Sequence, residues 1–504
     1  MYSLMFFVWW LPIVLLTSVI LKTYLYKKKF SKFVDILPGD NYYPIIGTSW
    51  KMLKAGRECL FDVISARHKK FGPIFRSWNG SAPMIHIYKP EHAQIILRSN
   101  VSITKGTAYK YLHDWLGKGL ISGSGPKWKE HRRLITPSFH FNILDSYGEI
   151  FAKKSLAFVK HLEKYSNQGY FDITSDLSKV SLDIITETAM GVKMNCLEGN
   201  DIGVKYADSV NFYCNSVMKR YLNPLYQNGL IFRLTEIGQK CLESRNYILD
   251  FNKHVIRTRK ELYQKKKSNL PEVDDLGRKT KISFLDLLLS YAEKGLTEEE
   301  IQEEVSTFMF AGFDTTVASV SYTLLELGNR PDILECVHAE LDSIFMDDPD
   351  RSVTTADLNQ MTYLDMVVKE VLRKYAFVPS IQRRLEEDIQ IENYHIPKGV
   401  VVTISLYDLH HDPDHFPEPF KFDPDRFLPE NVAKRHPYAF VPFSAGPRNC
   451  LGQKFGMRNV KTLLATVLRK FNVTSRYEYE QIKYYYEVVL RPQNGVEIAL
   501  EPRK

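Results

Sequence analysis

Residues 1–21 carry no charged side chain and are mostly Leu, Ile, Val, Phe, Met and Trp. About 20 helical residues span about 30 Å, the depth of a bilayer core, so this run predicts a membrane-spanning helix. Lys22, Lys27, Lys28, Lys29 and Lys32 follow it, and no small-residue cleavage site appears. That order argues against a removed signal peptide and puts the lysine flank in the cytosol. Residues 1–26 are therefore expected to anchor the chain. The stretch Leu37-Pro38-Gly39-Asp40-Asn41-Tyr42-Tyr43-Pro44, ending near Gly47, reads as a stiff extended connection, because proline fixes φ and lacks a donor. Residues 27–47 are expected to form a basic and Pro/Gly hinge, and 48–504 the body.

Within the body, helical periodicity dominates from about 128 to 375, with β-rich runs at 73–88, 389–404 and 484–500. The last holds Asn494-Gly495, a hairpin turn signal. The predicted class is mainly α with small β-sheets. Thr297-Glu298-Glu299-Glu300 is a capping box, and nothing breaks the following pattern before Gly328 and Pro331. A helix over about 297–327 would be roughly 46 Å long, enough to cross the body. Its centre, Phe308-Met309-Phe310-Ala311-Gly312-Phe313-Asp314-Thr315-Thr316, turns abruptly from apolar to polar. Such a run inside a buried helix is costly unless its groups have partners or water, which hints at a site. The charge-rich stretch around 257–280 reads as an exposed helix end and loop.

Composition narrows the function classes. The chain has 504 residues and a net charge of +8, but the first 32 residues hold five lysines and no acid, which leaves 62 basic against 59 acidic residues in the rest. A near-neutral body gives no support to nucleic-acid binding. The six cysteines, at 59, 196, 214, 241, 336 and 450, form no C-x-x-C. Neither a disulfide framework nor a zinc site follows, and a reducing compartment fits.

The strongest chemical signal is Phe443-Ser444-Ala445-Gly446-Pro447-Arg448-Asn449-Cys450-Leu451-Gly452. The glycines permit a tight loop and close backbone approach. Gln453 onward reads as a helix, which puts Cys450 near a helix N-terminus, where a thiolate is favoured. A thiolate on such a loop beside a cation suits iron ligation. The segment resembles the haem-binding signature of the cytochromes P-450, F-x-x-G-x-R-x-C-x-G, at every fixed position. Glu370-Val371-Leu372-Arg373 is similar to the family's E-x-x-R, and Pro424-Asp425-Arg426-Phe427 to the segment whose arginine completes that cluster. These three are expected to be a structural network. Trp128-Lys129-Glu130-His131-Arg132 resembles W-x-x-x-R, and Ala311-Gly312-Phe313-Asp314-Thr315 resembles A-G-x-[DE]-T.

The resemblance implies a P-450 fold, a triangular helical body around haem b, with Cys450 as the iron's axial ligand. It assigns the haem to Trp128, Arg132, Ala311, Arg383, Phe443, Arg448, Cys450 and Gly452. It makes Asp314 and Thr315 the catalytic pair that delivers protons for oxygen cleavage. Across essentially the whole chain the likeness is to family 4, the microsomal fatty-acid ω-hydroxylase branch. That family usually has Glu at position 311, able to form an ester to haem, and His at 313; here they are Ala311 and Phe313. The haem is therefore expected to be held without a covalent link.

The implied function is a haem-thiolate monooxygenase of the endoplasmic reticulum, its catalytic domain on the cytosolic face. It would insert one atom of O2 into a lipophilic substrate such as a fatty acid, related aliphatic, hormone or xenobiotic. No flavin or nicotinamide region remains in the chain, so electrons must come from an NADPH-cytochrome P-450 reductase, with cytochrome b5 as an optional second donor. Docking is expected on Lys127, Lys129, Arg133, Lys454 and Arg458. The alternatives are a haem-thiolate isomerase or dehydratase needing no electrons, which often lacks the acid–threonine pair, and a non-catalytic haem or lipid-binding protein. Segments 101–125, 205–230, 375–382 and 484–495 are the candidate substrate lining.

Overall fold

The computed structural model describes residues 2–44, 46–139, 141–199, 201–267, 283–346, 348 and 350–503; within helices, the side chains of 2–13, 15, 16, 19, 141, 142, 266 and 267 are not described. Of the twenty α-helices among the described residues, nine organise the body: α1 (Tyr2–Val34), α2 (Gly125–Ile135), α3 (Phe141–Leu162), α4 (Thr174–Thr188), α5 (Ile202–Leu222), α6 (Glu236–Lys267), α7 (Glu298–Gly328), α8 (Thr362–Tyr375) and α9 (Gln453–Lys470). The long helix α7 begins as its sequence dictates: Thr297 Oγ1 accepts from the Glu300 N–H, and Glu300 Oε2 accepts from the Thr297 N–H at 2.8 Å. It is buried along most of its length and packs on α4, α6, α8 and α9.

Four small sheets flank the helices. The largest contains β1 (Ile74–Asn79), β2 (Ala82–Ile87), β3 (Thr104–Lys105), β5 (Ser380–Arg384) and β8 (Val401–Ser405) in the order β1-β2-β8-β5-β3, with β2 and β8 parallel. A second joins β4 (Phe171–Asp172) and β9 (Phe471–Ser475) to β12 (Glu497–Pro502); β6 (Ile389–Ile391) pairs with β7 (Tyr394–Ile396), and β10 (Tyr484–Tyr485) with β11 (Arg491–Pro492). The expected Asn494-Gly495 hairpin does not form. Those residues carry the chain from β11 into β12, which belongs to another sheet. Gly495 has φ +71 because the chain turns tightly against Asp172, whose Oδ1 accepts the Val496 N–H. The true hairpin turn is 486–490.

The N-terminal expectation is met only in its helical character. Among the described residues no helix is long and apolar enough to cross a membrane, and most side chains of the apolar run lie outside the described set. The helix also continues through Lys27, Lys28, Lys29 and Lys32 to Val34. Its end is clamped to the large sheet: Phe30 and Val34 are buried there, Asp35 accepts from Trp78 Nε1 at 2.9 Å, and Lys27 pairs with Asp35 at 3.0 Å. The Pro38–Gly47 connection lies along β1, with the Arg76 N–H donating to Pro38 O. Arg257-Thr258-Arg259-Lys260 belongs to α6, Arg259 being buried on Asp286, while Asp274-Asp275 lies outside the described residues.

Candidate active site

A cavity of about 340 Å³ separates the middle of α7 from the loop that leads into α9. The loop is bent by Ser444 and Gly446, both at positive φ, and a side chain at Gly446 would strike Leu97 O. Cys450 closes the loop by donating its N–H to Phe443 O at 2.8 Å. The residue is exposed by its accessible surface and lines the cavity. Burial pushes the thiol up, while the Gly452 N–H and the charge of Arg132 pull it down without overcoming that effect. The thiolate is thus not supplied by the helix end alone; a bound metal ion would deprotonate the thiol outright. A Cβ added at Gly452 or Gly456 would meet nothing within 4 Å, although both line the cavity. They leave room for a flat group on that wall, so the role of Gly452 is space and not loop strain.

Beside the thiol stands a group of cations. Arg448 lies over the Trp128 ring, 3.7 Å from its centroid, and donates to Ile103 O and Leu120 O. Burial, then the charge of Arg383, pushes its guanidinium down to about 9. Arg132, on the same face of α2 as Trp128, donates to Asn449 O and Oδ1 at 2.9 and 2.6 Å, while Trp128 Nε1 donates to Leu120 O at 3.1 Å. Arg383 is buried one layer back and does not itself line the cavity. Opposite it on β3 is Lys105, which does line it. Burial and the charges of Arg383 and Arg448 push the Lys105 ammonium well below its usual range. Among the described residues none of these four cations has a carboxylate partner, an arrangement that suits a ligand carrying two carboxylates. With a thiol and an apolar slot alongside, the residues fit a haem. Lys105 escaped the sequence reading because nothing local marks it; only its strand pairing with Arg383 does.

The centre of α7 is partly as expected. Ala311, Gly312, Thr315 and Thr316 line the cavity, and Thr315 Oγ1 donates to Ala311 O at 2.7 Å. Gly312 answers mainly to packing, since a Cβ there would lie 2.5 Å from Ile185 Cδ1 of α4. Asp314 is buried and outside the cavity lining: both of its oxygens accept from Arg491 Nη2. The Glu370–Arg373 pair is fully buried at 2.7 Å, with Arg426 3.5 Å from Glu370. Arg373 also donates to His410 O and Lys421 O, and the Asp423 N–H to Glu370. This network ties α8 to the segment ahead of the Cys450 loop.

Of the expected lining, 101–125 supplies Lys105, Tyr109, Leu112, Leu120 and Ile121, 375–382 supplies Ala376, Phe377, Val378 and Ile381, and 484–495 supplies Val488 and Val489. Segment 205–230 instead lines an adjoining cavity of about 150 Å³ through Val217, Met218, Tyr221 and Leu222. Tyr109, Leu112, Val378 and Val488 border both.

The sequence model for cytochrome P450 matches residues 37–499, which include every group just described. The chain belongs to the cytochrome P450 family. It is 38% identical over 479 residues to cytochrome P450 4c21 of Blattella germanica, covering 94% of each chain. It is 36% identical over 509 residues to cytochrome P450 4c3 of Drosophila melanogaster, covering 98% of this chain and 95% of that one. To cytochrome P450 4V2 of Rattus norvegicus it is 37% identical over 490 residues, 95% and 92% of the two. It is therefore a P450 monooxygenase, a haem enzyme whose family uses a cysteine thiolate on the iron.

Proposed function

We propose that this P450 inserts one atom of O2 into a lipophilic substrate, a fatty acid or related aliphatic in the first place, with hormones and xenobiotics as the wider class. One observation carries this reading: the thiol of Cys450 and the Thr315 hydroxyl border one largely apolar cavity that shares wall residues with a second. When bound, haem supplies oxygen activation at an iron whose thiolate favours O–O cleavage. Cys450 would hold the iron, and Arg132, Arg448 and Lys105, with Trp128 and Arg383 behind them, the propionates. Phe443 and Gly452 would shape the proximal wall. Ala311 offers no carboxylate, so only these contacts and Cys450 would retain the group. Thr315 would hold water at the oxygen side and Asp314 would supply it with protons.

The body would sit on the endoplasmic reticulum through residues 1–26, with 27–47 setting its angle and 48–504 forming the catalytic domain. The clamp of α1 on the large sheet supports a fixed angle. Electrons would come from a separate NADPH-dependent reductase. Of the expected docking cations, Lys127 is already paired with Glu300 at 3.0 Å and Arg458 with Asp145 at 2.6 Å. Exposed Lys129 and Arg133 on α2 are better placed to meet an acidic partner.

The test is reconstitution with reductase, NADPH, labelled O2 and lauric acid, beside the reduced carbon-monoxide difference spectrum of wild type and Cys450→Ala. The expected result is a red-shifted thiolate band lost in the variant, and one labelled oxygen in the product. Label absent from every product over a panel of aliphatic, steroid and drug-like substrates would refute the reading.

A further inference from the structure

The adjoining cavity of about 150 Å³ has a polar floor. His86, Thr403 and Gln382 stand side by side across β2, β8 and β5, and all three line it. The helix Leu60–Phe71 adds Arg67 and His68, and the hairpin turn adds Glu487. Burying so many polar groups is costly unless something bonds to them. The charge-bearing ones are already engaged. Arg67 Nε donates to Asp40 Oδ2 at 2.8 Å, and His68 Nδ1 lies 3.0 Å from Asp408 Oδ2. Glu487 Oε1 accepts from Arg57 Nε and Nη2 at 2.9 and 2.7 Å, and Arg491 Nε lies 3.6 Å from its other oxygen. Lys51, which shares Asp40, is exposed to solvent. Burial, then the charges of Arg67 and His68, hold the His86 imidazole well below its usual range, so it stays neutral. Each engaged residue nonetheless keeps an unused atom. Arg67 Nη2, His68 Nε2 and Glu487 Oε2 have no hydrogen-bond partner among the described residues, nor has Thr403 Oγ1, and all four residues are buried.

Balanced charges with unused donors and an unused acceptor select an uncharged group that both gives and takes a hydrogen bond. A bare hydrocarbon would leave these atoms unsatisfied. A carboxylate only accepts, and it would bring a buried charge to a wall with no unpaired cation among its described residues. We propose that this cavity is the subsite for the hydroxyl end of a long-chain primary alcohol. The hydroxyl accepts from Arg67 or Thr403 and donates to Glu487. The wall shared with the first cavity, formed by Tyr109, Leu112, Val378 and Val488, is mostly apolar and guides the chain towards Cys450 and Thr315. The end of the chain remote from the hydroxyl then meets the activated oxygen. This narrows the aliphatic class proposed above, and a fatty acid enters the subsite less readily. The consequence for turnover rests on the proposed oxygen insertion; the binding does not.

The test is optical titration of the haem-loaded protein with dodecanol, laurate and dodecane above neutral pH, where the acid is ionised. The readout is the low- to high-spin shift of the haem band, which needs no turnover. Wild type should bind dodecanol about tenfold more tightly than laurate. Thr403→Val should weaken dodecanol binding by about three- to tenfold, and Arg67→Met by about ten- to a hundredfold, with dodecane unchanged in both. Thr403 and Arg67 line only the second cavity, so a loss confined to the alcohol locates the hydroxyl there. Laurate that binds as tightly as dodecanol overturns the proposal. So does dodecanol binding that Thr403→Val leaves unchanged, or the opposite spectral shift that a hydroxyl on the iron produces. These arms decide the matter even if Arg67→Met fails to fold. Dodecanol that binds as expected while no substrate is ever oxidised would sink the proposed function and leave the subsite standing.

Discussion

Lys105 and Arg383 face each other across neighbouring antiparallel strands, β3 and β5, beside the cavity wall. Like charges directly opposed destabilise a strand pair. A bound dianion, as in the proposed haem site, would offset that repulsion.

The sign of that argument can be tested. Lys105→Met should weaken haem retention by roughly ten- to a hundredfold, as expected for losing one charge-assisted hydrogen bond of about 1.5–3 kcal/mol. It should leave the haem-free protein as stable as wild type or more so. The haem-to-protein absorbance ratio after dialysis against apomyoglobin, and thermal unfolding of the haem-free form, check the two halves. A haem-free protein that is less stable without Lys105 would refute the repulsion.

Ala311 should make the haem removable. Acid extraction is expected to release essentially all of it from the wild type, and Ala311→Glu should leave a fraction bound to the protein. Chromatography of the denatured protein at a haem absorption wavelength reads both. Haem that stays with wild-type protein would contradict the non-covalent assignment.

Thr315→Ala should separate electron use from product formation. Its hydroxyl borders the cavity and already bonds Ala311 O at 2.7 Å, so its loss leaves folding intact and removes the water anchor. Product per NADPH should fall by about a hundredfold, the low end of the scale for a lost proton-transfer group, with peroxide accounting for the difference. Unchanged coupling would remove Thr315 from the proposed site.

His131 gives the fold a pH dependence. Its Nδ1 lies 2.8 Å from Glu304 Oε1, and that hydrogen bond raises the imidazole above its ordinary value. A raised folded-state value stabilises fully below the unfolded value of about 6.5 and loses that stabilisation as pH rises through the folded one. Denaturation midpoints should therefore fall above neutrality more steeply in wild type than in His131→Gln. Equal pH slopes would show that the pair contributes nothing.

Glu370→Gln should be among the most damaging single changes. It leaves Arg373 a fully buried cation without its carboxylate, which costs about 3–5 kcal/mol. Folded yield and denaturant midpoint should drop together, before any effect on turnover per folded haem. A variant with normal stability and slow turnover would instead make Glu370 functional.

What could be read along the chain was what is local. The Cys450 loop, the capping box at Thr297, the W-x-x-x-R face of α2 and the Glu370–Arg373 pair each depend on residues within one turn or one short loop. Their geometry follows from backbone preference and helical spacing, and so does the long helix that begins at Thr297, whereas segment 205–230 proved to line the adjoining cavity. Asn494-Gly495 misled because a turn signal fixes a bend and not which strands pair across it; β12 is claimed by β4 and β9, whose packing on the body outweighs a local hairpin. Asp314 was recognisable as an acid on the long helix, but its direction was not. Its partner Arg491 is 177 residues away, and burial forced the two charges together. Lys105 looked like any surface lysine until β3 set it against Arg383. Charge pairing, burial and the position of a cavity wall arise only when distant segments pack, because the cost of a desolvated charge depends on neighbours that chain order does not specify.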